Sequence, residues 1–279
     1  MPTKTPTKTR TKPTTKLKTM PRTTKARTTA KSPAARMSLA EAMSALEKEG
    51  SEQTRKIYRR HGAAEPMFGV RFAMLKTLMK RIGVDHDLAL ALWETGNFDA
   101  RNLAVKVVDP ARISPKDLDR WARSGSARMC EGYVAHLAAE SPHGRTRAPA
   151  WLAARSEIER SAGWSLVGAL AMRDETMPDA WFAERLAEIA KTIHASPNSQ
   201  RHTMNQTMIA IGCRSAGLRK SASAAAKRIG KVEVDQGDTA CKTPDARESM
   251  DKAWAVSDAK GLASPAAHER KRESMRTRC

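Results

Sequence analysis

Apolar residues recur at helical spacing along most of this chain. Ser38-Leu39-Ala40-Glu41 forms a capping box, and Met43 and Leu46 follow on one face of a helix that stops at Gly50. The periodicity continues between Gly and Pro breakers and predicts further helices over 51–61, 70–82, 86–95, 99–108, 115–124, 128–139, 148–155, 157–172, 178–194, 203–215, 218–229 and 244–254. Many medium helices, short connections and no alternating strand pattern predict an all-α protein built as a stack of helical repeats.

Changes in composition predict four segments along the chain. Residues 1–37 are rich in Thr, Lys and Pro with few apolar residues, so we expect a disordered basic tail. Such a tail would bind phosphates of a nucleic acid without sequence preference. The alternative is that Met20 or Met37 is the true start of the protein. The helical domain is expected over 38–230 and a C-terminal capping segment over 231–256. Residues 257–279 are rich in Ala, Lys, Arg and Glu and are predicted to form a second disordered basic tail.

The net charge of +20 points to a nucleic-acid partner. Residues 1–36 carry eleven of the 50 Lys and Arg residues and none of the 30 acidic residues, which leaves +9 for the remainder. The folded part is therefore basic without being extreme.

Several classes of protein are excluded by what the sequence lacks. No run of about 18 apolar residues predicts a membrane span, and four scattered cysteines without CxxC spacing predict neither a zinc ribbon nor a disulfide framework. Nucleotide-binding and serine-hydrolase motifs are absent and the seven histidines form no HxxxH or HExxH pair, so neither a nucleotide cofactor nor a metal is expected. The carboxylates of 231–245 lack regular ligand spacing, which favours a capping role over a cation site. We expect a cytoplasmic, nucleoid-associated monomer.

One stretch carries a family resemblance. Phe68-Gly69-Val70, then Leu92-Trp93-Glu94, then Asp99-Ala100-Arg101 and Ala104 resemble the AlkD-like DNA alkylation repair family. The resemblance covers about residues 38–245. It implies a curved superhelical stack of HEAT-like (ARM-type) helical repeats, a duplex DNA partner, and excision or recognition of N3- or N7-alkylated purines. These residues themselves belong to the scaffold.

The resemblance also implies a catalytic position. Matching Cys130-Glu131 to the family's Cys-Asp pair assigns the catalytic carboxylate to Glu131 and puts Ala127 where the family has a Trp. An N3- or N7-alkylpurine is a cationic leaving group, so a carboxylate that stabilises the sugar cation or orients water suffices for its excision. The alternative is an ordinary exposed carboxylate paired with Arg128 at i−3.

Two further family positions lie downstream. Arg160-Ser161-Ala162 matches the family's R-x-A pattern, so the resemblance implies that Arg160 lies in the active-site cleft and contacts the DNA backbone. Cys213 stands where the family has a second Trp. Trp164, one helical turn after Arg160, is either a replacement aromatic in the cleft or a core residue of an apolar helix.

Basic side chains on the later helices complete the predicted interface. The expected DNA contacts are Arg128, Trp164, Arg201, Arg214, Arg219 and Lys220. The alternative for these cations is an ordinary solvated surface. For the whole protein, the alternative function is a catalytically inactive HEAT-repeat scaffold that binds nucleic acid or a protein partner, which the loss of both family Trp positions favours.

Overall fold

The computed structural model describes Thr3, residues 36–125 and residues 129–278, with the backbone alone for Cys130 and Glu131. The chain divides into Met1–Ala35 and Arg36–Cys279, and every element named below belongs to the second unit. The basic tail predicted for 1–37 falls almost wholly outside the described residues and stays a prediction.

Helices fill the described part of the chain. In order they are α1 (Leu39–Lys48), α2 (Glu52–Arg60), α3 (Phe72–Ile82), α4 (His86–Glu94), α5 (Phe98–Val107), α6 (Pro115–Ser124), a π-helix (Cys130–Val134), α7 (Ala135–Glu140), α8 (Gly144–Leu152), α9 (Glu157–Arg173), α10 (Asp179–Thr192), a 3-10 turn (Ile193–Ala195), α11 (Asn198–Gly212), α12 (Ala216–Ile229), α13 (Ala246–Ala259), α14 (Pro265–Arg270) and a 3-10 turn (Met275–Thr277). Within the described ranges, the sole β pairing is one bridge between Gly50 and Val70. The predicted all-α class is confirmed.

Helix ends follow the caps that the sequence contains. The predicted capping box at Ser38 is present: its Oγ accepts from Glu41 N at 3.2 Å, and the Glu41 carboxylate accepts from Ser38 N at 2.7 Å. The largest boundary errors are five residues, at the start of α11, which begins at Asn198 rather than at 203, and at the end of α13, which extends to Ala259 rather than to 254. The polar residues after Pro197 concealed the first turn of α11, because they break the apolar periodicity.

Helices pack mainly on helices one or two places away in chain order, as expected of stacked repeats. In the first half, α5 packs on α3 and α4; in the second, α9 packs on α8 and α11, and α11 on α12. Trp93 and Trp121 stack at 4.2 Å between centroids in the continuous core. No helix of the described residues is long and apolar enough to cross a bilayer.

The family-like motif forms one structural junction. The buried carboxylate of Asp99 accepts hydrogen bonds from the backbone N–H groups of Phe68, Gly69 and Val70 at 2.7, 2.9 and 3.0 Å. Gly69 has φ +79°, and an added β-carbon would lie 2.5 Å from the carbonyl oxygen of Ser51. The motif therefore joins the α2–α3 connection to α5, which fits its predicted role as scaffold.

The C-terminal capping segment packs on the last helix pair. The indole Nε1 of Trp254 donates to the carbonyl oxygen of Gly212 at 2.9 Å. A β-carbon at Gly212 would overlap the sulfur of Met250. Helix α13 therefore lies in close contact with the end of α11, as well as with α12.

Residues 257–278 form ordered structure, which corrects the prediction of a disordered tail over 257–279. They include α14 and the last 3-10 turn. Arg276 is buried and donates to the carbonyl oxygens of Val105 and Lys106 at 2.8 and 3.0 Å and to Glu140 at 2.7 Å. The prediction failed because these partners lie more than 130 residues away in sequence, where local composition gives no sign of them.

Candidate nucleic-acid interface

The predicted catalytic position lies in an unusual backbone. Glu131 belongs to the π-helix Cys130–Val134, and its side chain is outside the described part of the structure, as are Ala127 and Arg128 entirely. A π-helix turn is rare in proteins and occurs frequently at functional sites. The roles predicted for Glu131 and Arg128 stay predictions.

Arg160 is held by the protein's own groups. Its Nη1 donates to the carbonyl oxygens of Ala154 and Arg155 at 2.8 and 2.9 Å. With its amide oxygen turned toward the guanidinium, Gln200 accepts from Nε and Nη2 at 3.2 Å each. These contacts join α9 to the preceding loop and to α11, so they favour a positioning role, while the predicted DNA contact stays a prediction.

Neither Trp164 nor Cys213 forms an exposed aromatic surface near Arg160. Trp164 is 4% exposed and belongs to the core of α9, and Cys213, where the family has a Trp, is 3% exposed. Burial raises the pKa of the Cys213 thiol to about 11, so this residue is a neutral thiol at pH 7. The core interpretation of Trp164 agrees with this placement.

Arg214 also has internal partners. Its guanidinium donates to Asp179 at 2.8 Å and to the carbonyl oxygens of Ala171, Asp174 and Met177 at 3.0, 2.6 and 2.5 Å. It lies 4.4 Å from the centre of the Phe182 ring and is 8% exposed. The Arg214 side chain therefore stabilises the α9–α10 connection and is not oriented toward a ligand in solvent.

The other predicted contacts lie closer to the surface. Lys220 is exposed, and Arg219 pairs with Asp251 at 3.0 Å while lying over the ring of Trp254. Arg201 is half-buried on α11. Hydrogen bonding to Lys231 lowers the pKa of the Glu233 carboxyl, and the charge of Arg201 contributes in the same direction.

An open cavity beside Arg201 gathers further cations. It has a volume of about 810 Å³ and is bounded by the end of α12, the segment 231–245 and the start of α13. Four exposed basic side chains line it, against two acidic ones: Lys227, Lys231, Lys242 and Arg247, with Glu233 and Asp245. We call this the basic cavity.

The wall of the basic cavity is fixed by asparagines of α11. Asn198 binds the backbone of Asp235 through both its donor and its acceptor, each at 2.8 Å. Asn205 Nδ2 donates to the carbonyl oxygen of Pro244 at 3.0 Å. Asp245 is occupied as the N-cap of α13, where it accepts from Glu248 N at 2.8 Å. The cations therefore surround a space whose walls are held by hydrogen bonds.

Sequence reasoning found only part of this cavity. It drew attention to the carboxylates of 231–245, whereas the structure groups Lys231, Lys242 and Arg247 with Lys227 of α12. No local pattern could reveal this, because the grouping depends on how the loop returns over α11. Among the described residues, no cluster of three or more His, Cys, Asp or Glu side chains could hold a metal ion.

Known proteins match this chain both in sequence and in structure. The sequence model of the DNA alkylation repair enzyme family matches residues 42–250. A solved structure from a family of proteins related to the HEAT-like repeat DNA glycosylases, with affinity for branched DNA structures, matches at a TM-score of 0.71 and 32% identity. That match covers 81% of this chain and 96% of the other.

Two bacterial proteins match this chain over most of its length. Uncharacterised proteins of Listeria monocytogenes and Listeria innocua are each 29% identical to this chain over 219 residues, which is 76% of this chain and 93% of theirs. Each of these matches therefore covers most of this chain and nearly all of the matched protein.

Proposed function

Because this chain belongs to the DNA alkylation repair enzyme family, we propose that it binds DNA and prefers branched structures to unbranched duplex. The observation that carries the proposal is the basic cavity on a fold whose solved relative is described as having affinity for branched DNA. The exposed cations of the cavity bind phosphates, which fixes the position of the DNA without reading its sequence.

A physical reason for the preference is the spacing of basic surfaces along the stack. Helix α2 carries Lys56 and Arg60 on its exposed face, whereas the basic cavity lies at α12 and α13. In a stack of repeats, elements that are distant in order are distant in space. Two duplex arms that meet at a branch point can contact both surfaces, and one short straight duplex contacts fewer of these cations.

Removal of the cavity's charge is expected to weaken binding and its dependence on salt. The variant combines Lys227→Ala, Lys242→Ala and Arg247→Ala. Each lost phosphate contact lowers the slope of log affinity against log salt by about 0.9, so we expect a total decrease of about 2 to 3. The measurement is the affinity for a four-way DNA junction between 50 and 200 mM salt, followed by fluorescence anisotropy.

A charge-matched variant tests the location. Lys80→Ala, Lys116→Ala and Lys191→Ala remove three exposed cations outside the cavity. We expect a decrease in slope of less than about 1, because long-range contributions are screened beyond about 10 Å. An equal decrease in both triple variants would show that the charge acts as a whole and that the cavity is not the site.

Base excision is the second candidate function, and the π-helix at Glu131 favours it. Glu131 would stabilise the sugar cation or orient water, and Arg160 would position the adjoining backbone. We propose that this chemistry uses no metal or cofactor. For either function, we propose that the protein acts as a monomer associated with the nucleoid.

Release of 7-methylguanine from duplex DNA tests the excision candidate. If Glu131 is catalytic, we expect Glu131→Gln to lower the single-turnover rate by at least about 100-fold, because the neutral amide cannot stabilise a cation. The DNA affinity of Glu131→Gln serves as the control and should not fall. Absence of release by the unmodified protein, or equal rates for both proteins, would exclude excision through this residue.

A further inference from the structure

The half-buried aromatic residues of this protein are concentrated around one cavity. Both tyrosines and two of the four phenylalanines line it: Tyr58, Phe72, Phe98 and Tyr133. The Tyr58 ring lies 5.2 Å from that of Phe98 and 5.9 Å from that of Phe72, and Phe72 lies 6.5 Å from Tyr133. Most tryptophans, by contrast, are buried. We call this the aromatic cavity.

The aromatic cavity has the size of a small-molecule site. Its volume is about 590 Å³, within the range of about 300 to 1,000 Å³ that is typical of ligand pockets. Gly132, His136 and Met275 line it and also line a second cavity of about 410 Å³ between α9 and α11. The two are therefore neighbouring lobes on either side of the π-helix turn.

Among the described residues, three polar side chains of its lining carry buried atoms without a hydrogen-bond partner. They are His61 Nδ1, Asn102 Oδ1 and His136 Nδ1. Asn102 is 1% exposed, and its Nδ2 donates to the carbonyl oxygen of Phe98 at 3.3 Å. An unsatisfied buried polar atom destabilises a fold, so three in one lining indicate a ligand that supplies donors and acceptors after small side-chain rotations. Burial lowers the pKa of His136 to about 4, which keeps this imidazole neutral at pH 7.

Cations lie on the adjoining face of α2. Ile57 and His61 line the aromatic cavity, whereas the exposed Lys56 and Arg60 line a neighbouring recess of about 500 Å³ that shares Ile57 with it. Neither Lys56 nor Arg60 has an acidic partner among the described residues, in contrast to Arg59, which binds Glu52 and Glu65. This arrangement places phosphate-binding groups next to an aromatic recess.

We propose that the aromatic cavity binds an unpaired base of DNA while Lys56 and Arg60 bind the flanking phosphates. Aromatic rings stack on any base, the imidazoles and the amide oxygen match the donors and acceptors of a base edge, and the cations beside the cavity match the backbone. An apolar peptide would satisfy neither the polar atoms nor the cations. The proposal rests on the proposed DNA-binding function and adds to it a second determinant, an unpaired base, beside the contacts of the basic surfaces with two duplex arms.

Duplexes that differ only at one position test the proposal. One carries a single extrahelical adenine, the second is fully paired, and the third carries an abasic site in the bulge, which keeps the bend without the base. We expect the unmodified protein to bind the adenine bulge at least about fivefold more tightly than the other two, since stacking of one base is worth about 5- to 150-fold in affinity.

Gly132→Leu blocks the cavity without removing a contact. No heavy atom of the described residues lies within 4 Å of a β-carbon built at Gly132, so the new side chain extends into open space. We expect the fivefold preference to fall to about one, with no decrease in melting temperature. Gly217→Leu, at an exposed helical glycine of α12 where a β-carbon would lie 4.0 Å from Ser215 Oγ, an ordinary contact distance, is the matched control and should keep the preference. Ala63→Trp fills the cavity from the α2 side, and we expect it to abolish the preference for the adenine bulge as well. If one of the two variants fails to fold, the other still tests the proposal.

The outcomes separate the two proposals. Equal, salt-dependent affinity for all three duplexes would overturn the aromatic-cavity proposal and leave the proposed DNA binding in place. Equal preference for the adenine and the abasic bulge would show that the bend is recognised rather than the base. A preference for the adenine bulge that survives both cavity-filling variants would also overturn the aromatic-cavity proposal. Absence of binding to any DNA would overturn the proposed function itself.

Discussion

Replacement of Asp99 by asparagine is expected to lower the free energy of unfolding by about 2 to 4 kcal/mol. The carboxylate accepts from three backbone N–H groups, of Phe68 and Gly69 through one oxygen and of Val70 through the other. An asparagine keeps one oxygen and places an NH₂ group against the remaining N–H, so two buried donors face each other. Burial raises the pKa of the Asp99 carboxyl, and the three N–H donors oppose that shift.

Chemical denaturation of Asp99→Asn against Asp87→Asn measures this effect. Asp87 is an exposed residue of α4 that pairs with Arg112 at 3.1 Å, so its replacement should cost less than about 1 kcal/mol. Equal losses in the two variants would mean that the α2–α3 connection is not held by Asp99. In that case, the motif that carries the family resemblance would need another structural explanation.

Replacement of Arg214 by glutamine is expected to cost about 3 to 5 kcal/mol of stability. It removes a nearly buried guanidinium from Asp179 and from four carbonyl oxygens, and the groups left behind lose their partners. Since this guanidinium faces the interior, we expect the salt dependence of DNA binding to stay unchanged at a temperature where the variant is folded.

Arg219→Gln is the matched control for Arg214→Gln. Arg219 lies five residues later, is partly exposed and pairs with Asp251, so its loss should cost about 1 kcal/mol or less. A decrease of about 0.9 in the salt slope of Arg214→Gln would contradict its internal role and restore it as a phosphate contact. Thermal unfolding and anisotropy titrations supply both readouts.

The sequence revealed the helices because their apolar periodicity is local. The capping box at Ser38 and the helix from Phe98 to Val107 could be predicted from spacing alone. The ordered C-terminal tail could not, because Arg276 owes its position to the carbonyl groups of α5. Amino-acid composition distinguishes flexible from ordered segments only when no distant partner supplies the missing contacts.

The candidate site was less predictable for a related reason. Arg160, Arg214 and Lys242 are indistinguishable in sequence as cations on or beside basic helices. The structure directs the first two at internal carbonyl groups and the third at the basic cavity. Whether an arginine points inward depends on unpaired carbonyl groups at neighbouring helix ends, which the side-chain pattern does not encode. The tyrosines and phenylalanines of the aromatic cavity likewise come from separate elements between α2 and the π-helix.

The most direct measurement for DNA binding compares a four-way junction with an unbranched duplex of equal length. Anisotropy titrations between 50 and 200 mM salt give both the affinities and their slopes. We predict tighter binding of the junction at every salt concentration, with a steeper salt slope because more phosphates are contacted. Equal affinity for the two DNAs, or affinity that does not change with salt, would contradict the proposed function.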